Sequence, residues 1–92
     1  MTAQLIRFWI TFAKLAHSSP LNLGCGVTAY SRDDAFEVLK GTVFLGRTMP
    51  HVVNVVENVD VSALDQGNVI PNMAAPNIRG VWYPLGYQEM RP

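Results

Sequence analysis

The sequence predicts an α+β fold: an antiparallel sheet of about four strands with one main helix on one face, in the order β-β-α-β-β. Three observations carry this. Short runs rich in aromatic and β-branched residues recur along the chain, as strands require. One segment alone shows helical spacing behind a capping residue. Clusters of Gly, Pro, Asn and Ser separate these runs. The chain has 92 residues, which matches a single domain spanning 1–92. An apolar content of 49% suffices for one modest core.

Residues 4–12, QLIRFWITF, read as the first strand. Alternation puts Ile6, Phe8, Ile10 and Phe12 on a core face, and Leu5, Arg7, Trp9 and Thr11 on the other. Residues 13–24 hold HSSP and NLG and read as a loop. Gly26–Tyr30 is a short second strand. Ser31 then opens SRDD as an N-cap, with Asp34 at the N3 position of a capping-box variant. Asp33 and Asp34 suit the positive end of the helix dipole. Ala35, Phe36, Leu39, Val43 and Phe44 follow at helical spacing, predicting a helix over 32–43. Gly41 is costly in mid-helix, by about 1 kcal/mol against Ala, and offers an earlier end.

After a loop at Gly46–Pro50, HVVNVVENVDV is strongly β-prone. Val53, Val55, Val59 and Val61 share one parity and are expected to face the core. Glu57 interrupts them and points to a bulge or a strand end there. Ser62–Asp65 reads as a short capped turn, and 66–79 as mostly loop, long for so small a domain. Arg79–Leu85 is the last strand, with Pro84 at its end or on an edge, and 86–92 is a tail. A right-handed crossover through the helix leaves room for the first strand between the second and third. Sheet order 2-1-3-4 satisfies these connections most simply.

Composition excludes several chemistries. Seven Lys+Arg balance seven Asp+Glu, so no global field favours nucleic acid or an anionic membrane. Cys25 is the only cysteine, which rules out an internal disulfide framework. With only His17 and His51 beside it, no Cys/His zinc site can be assembled. The apolar stretch Phe8–Phe12 falls far short of the ~20 residues of a membrane span. It also lacks the basic flank and cleavage site of a signal peptide. A cytoplasmic location is expected, with neither metal nor cofactor.

Catalytic constellations are weak. Cys25 stands between Gly24 and Gly26, but six residues before the helix cap, and reads as an inert buried thiol. His17, Ser18 and Ser19 with Asp60 or Asp65 offer a Ser-His-Asp composition without the geometry that such a set demands. Gly24-Cys25-Gly26 is only GxG before a strand, which is not a phosphate loop. No catalytic residue is assigned, and an interaction module is expected in preference to an enzyme.

The second sheet face is the candidate binding surface. One helix covers only one side, leaving Arg7, Trp9, Thr11, Thr28, Tyr30, Asn54, Val56 and Trp82 on the other. Trp, Tyr and Arg dominate interface hot spots. Large apolar area is rarely left in water. Either this face binds a second copy or a protein partner, or the loop 66–79, through Ile70 and Met73, folds over it. A different possibility is a small-molecule pocket between loop 59–78 and the sheet, using Asp60, Asp65, Asn72, Arg79 and Trp82. The binding residues expected are therefore Arg7, Trp9, Tyr30, Asp60, Arg79 and Trp82.

Gly26-Val-Thr-Ala-Tyr30 with Asp34-Ala35, Val59 to Asp65, Pro71-Asn-Met73 and Arg79 to Gly86 form a distinctive series. It resembles segments of small uncharacterised bacterial cytosolic proteins over about two thirds of the chain. The resemblance implies a bacterial, cytosolic setting and joint action of loop 59–73 with the RGVWYP strand. It implies no activity. Single-domain proteins of this kind also serve as immunity partners of toxins, a role open to this chain by analogy.

Overall fold

The computed structural model describes residues 4–13 and 23–84. Among these residues the fold is α+β, with one helix and a four-stranded antiparallel sheet. Strand β1 is Ile6–Phe12, β2 Cys25–Ala29, β3 Val52–Glu57 and β4 Gly80–Tyr83. Helix α1 is Arg32–Gly41. Two 3-10 turns, Val61–Ala63 and Ile70–Asn72, lie between β3 and β4 and add to the expected element order. The reading of 13–24 as a loop falls mostly outside the described residues, as do His17, Ser18, Ser19 and the tail 86–92.

The sheet order is β3-β1-β2-β4. It places β1 between β2 and β3, as expected, but moves β4 from beside β3 to beside β2. Because all three pairings are antiparallel, β2 and β3 run in the same direction, with α1 crossing between them. The correction at β4 has a physical cause. Segment 58–79 does not turn back as a hairpin but crosses the second sheet face, delivering β4 to the opposite edge.

Helix α1 begins as its sequence requires. The Asp34 N–H donates to Ser31 Oγ at 3.1 Å, satisfying one of the orphan donors of the first turn. Asp33 and Asp34 occupy that first turn. The helix stops at Gly41, two residues before the predicted end. Thr42 caps it, donating through Oγ1 to the Val38 carbonyl at 2.7 Å. Val43 and Phe44 still reach the core, from the turn beyond the helix. Phe44 meets Phe12 edge to face, with ring centroids 5.3 Å apart.

Ala35, Val38 and Leu39 bury one helix face against Phe8, Ile10, Phe12, Val27, Ala29 and Val81. Phe36 is half-buried at the rim of the same core. Cys25 lies inside it, and burial pushes its thiol up to about 12. Such a thiol stays neutral near pH 7, in keeping with an inert core position.

The β3 valines depart from the expected parity. Thr11 pairs with Asn54 but Phe12 with Val52, so Val53 is an extra residue on β3. This bulge turns Val52 and Val55 onto the helix-side core and leaves Val53 61% exposed. Val59 and Val61 pack on the opposite side of the sheet. The strand does end at Glu57, where Asn58 takes φ 56°, a left-handed conformation that asparagine tolerates.

The two ends of this architecture differ in weight. Leu39→Ala should cost about 2–5 kcal/mol, as for large-to-small changes in packed cores. Ser31→Ala should cost about 1 kcal/mol, the typical value for a lost N-cap. Urea titration of both variants checks the ranking; equal losses would show that α1 is not packed as described.

Candidate functional site

The second sheet face is not open along its length. Segment 58–79 covers its β2–β4 half and builds a second core from Val59, Val69, Trp82 and Tyr83, with Trp9, Val61, Leu64, Met73 and Ala74 packed around them. Trp82 is only 1% exposed, so its assignment to an open binding surface is corrected. The alternative that loop 66–79 folds over this face holds for that half, and Met73 is among the residues that do so.

Backbone geometry explains how two adjacent residues of β4 reach the same side. Gly26 pairs with Tyr83 and Val27 with Val81, which leaves Trp82 as an extra residue. A bulge of this kind breaks alternation, and both Trp82 and Tyr83 join the second core. Gly26 is indispensable beneath them. A methyl built on its Cα would clash with the six-membered ring of Trp82. Gly24, at φ 126°, likewise lies against Trp9, where a Cβ would come within 2.9 Å of the indole. Trp9 stacks obliquely on Trp82 and Tyr83, at centroid distances of 5.9 and 5.6 Å.

Polar groups pin the covering segment. Buried Thr28 donates from Oγ1 to the Pro76 carbonyl. The Ala74 N–H donates to the Trp82 carbonyl at 2.8 Å. Arg7 Nε donates to the Val59 carbonyl at 3.3 Å, and the Val59 N–H returns a bond to the Arg7 carbonyl at 3.2 Å.

The acids serve locally. Asp60 Oδ1 accepts from the Ser62 hydroxyl at 2.7 Å and from its N–H at 3.0 Å. The short turn that follows is therefore capped by Asp60, two residues ahead of the Ser62 start predicted for it. These bonds, led by the hydroxyl, hold the Asp60 carboxyl below its ordinary range, with Arg7 adding to the effect. Asp65 Oδ1 accepts from the N–H groups of Asn68 and Gly67, at 2.9 and 2.8 Å, and is lowered by them. Asp34 receives Arg79 in a forked pair, at 2.6 and 3.0 Å, and the Tyr30 N–H at 3.0 Å. Arg79 also stands over the Tyr30 ring, 5.9 Å from its centroid.

The six expected binding residues thus fall into three separate pairs. Trp9 and Trp82 stack, Arg7 lies beside Asp60, and Tyr30 lies beside Arg79. Among the described residues no group of three His, Cys, Asp or Glu could hold a metal ion. One polar atom stands out: Trp82 Nε1 is buried without a hydrogen-bond partner among the described residues.

What the sequence reading missed is the β3 edge. Beyond the covered half, Val53 and Val56 are 61% and 38% exposed. Among the described residues β3 pairs only with β1. The valine-rich run was the available signal, but strand order decides which run becomes an edge. No family model, curated protein or solved structure matches this chain.

The Asp34–Arg79 pair makes an acid-sensitive clasp between α1 and the residue that leads into β4. Arg79, through its hydrogen bond first, holds the Asp34 carboxyl below its ordinary value, against the opposing effect of burial. The clasp is therefore fully present above the unfolded carboxylate range, near pH 4. It is lost as pH falls through the lowered folded value. Asp34→Asn should lower Tm at neutral pH and flatten its decline between about pH 5 and pH 2. Parallel acid limbs for the two proteins would remove Asp34 from this role.

Proposed function

We propose that the chain is a non-enzymatic interaction module that self-associates, with the β3 side of the sheet as its contact surface. One observation carries this: the two sheet edges are treated differently. The β4 edge is occupied by the bond from Ala74 and ends at Pro84, which has no N–H to offer. The β3 edge carries Val53 and Val56 to solvent, and among the described residues its outer backbone groups have no partner. Exposed strand edges template pairing with further strands. The local use of Asp34, Asp60 and Asp65 as caps and clasps supports the non-enzymatic part of the reading. The balanced net charge favours association over mutual repulsion.

Sedimentation equilibrium tests it. The chain should show a concentration-dependent mass above the monomer, and Val56→Lys should abolish it while leaving a folded monomer whose Tm no longer depends on concentration. A monomer at high micromolar concentration would remove self-association from consideration.

A second reading has its own observation. Trp82 Nε1, buried and unpartnered among the described residues, is a donor that a ligand carbonyl entering between segment 58–79 and the sheet would satisfy. Carbonyl-bearing metabolites should then raise Tm, and Trp82→Phe should erase the effect. A screen in which no compound stabilises the protein rejects this role.

A further inference from the structure

Resting on the self-association reading, we infer that the occupant of the β3 edge is a second copy of β3, antiparallel, with the two-fold axis between the two Val56 residues. Two copies of one strand related by a two-fold axis perpendicular to the sheet must pair some residue with itself, because opposite positions alternate between bonded and non-bonded pairs. The backbone of this chain then selects which residue.

The Arg7 carbonyl accepts from Val59, and the Ala13 N–H donates to the His51 carbonyl. Arg7 and Ala13 therefore turn their peptide groups toward β3. The extra residue of the bulge lies on β3, so alternation along β1 is unbroken, and Trp9 and Thr11 face β3 as well. Their partners Val56 and Asn54 spend their N–H and C=O groups on β1. Val55 and Glu57 aim theirs outward, at the edge that is unpaired among the described residues. Pairing is bounded by the bulge residue Val53 on one side and left-handed Asn58 on the other.

An axis at Val56 sets Val55 opposite Glu57 of the second copy, and Glu57 opposite its Val55. Each pair exchanges both backbone bonds, so four form. An axis at Val55 gives two, from Val55 to itself, before the bulge intervenes. An axis at Asn54 runs straight into the bulge. The Val56 register also joins the two apolar rows across the sheet through Val56 and Trp9.

Charge is compatible with this approach. Glu57 is the one ionisable residue of β3, and Arg32 neutralises it at 3.1 Å within each copy. The two ion pairs come onto the same face, where each Arg32 can also attract Glu57 of the second copy.

Cysteine pairing tests the register. Opposed residues of a non-bonded pair have Cα atoms ~4.5 Å apart, within the range that a disulfide spans. Val56→Cys should convert to a covalent dimer under mild oxidation, and Val55→Cys and Val53→Cys should not. Native Cys25 is buried and does not compete. In the unsubstituted protein, amide exchange at Val55 and Glu57 should slow as concentration rises, with Val56 unchanged. A dimer that crosslinks through Val55→Cys, or that leaves the Val55 and Glu57 amides unprotected, overturns this register and spares self-association. A chain that stays monomeric overturns both.

Discussion

The Trp82 indole lies where any side chain on residue 26 would project, and much of the second half of the molecule depends on that. With no Cβ at Gly26, the ring can lie directly against β2. The β4 bulge places Tyr83 beside it, and Trp9 closes the group from β1. A flat apolar platform results on a sheet face that the helix cannot reach. Burying it requires cover, since aromatic area of this size is expensive to leave in water. Segment 58–79 supplies that cover, and β2 consequently ends up buried on both faces.

A segment with so few regular elements can act as a lid only if its own polar groups are satisfied. Asp60 and Asp65 solve this within the segment, each accepting from backbone N–H groups a few residues on. Thr28, Trp82 and Arg7 solve it between segment and sheet. The carboxylates that looked like material for a pocket are thereby consumed in construction. Their lowered proton affinities report those local hydrogen bonds.

The same segment creates the asymmetry between the edges. By carrying β4 across to β2, it leaves β3 as a terminal strand while its own backbone occupies the far edge at Ala74. A strand predicted as interior becomes the exposed one. The bulge at Val53 confines that edge to a short stretch, a common way for sheets to limit uncontrolled pairing.

Local physics made much of this legible from the sequence. Ser31 and Asp34 mark the helix start because cap chemistry acts over three residues. Ile6, Phe8, Ile10 and Phe12 mark a core face because strand period is two, and Glu57 marks the strand end. Cys25 reads as inert from its surroundings alone. Tertiary structure decided the rest. The parity of Val52, Val53 and Val55 depends on a bulge set by pairing with Thr11 and Phe12. The fate of Trp82 depends on Gly26, 56 residues earlier. The position of β4, and with it the open edge at β3, depends on which face the long connection crosses. That choice is made by burial of the Trp9, Trp82 and Tyr83 platform, an energy summed over residues distant in sequence, which no local pattern encodes.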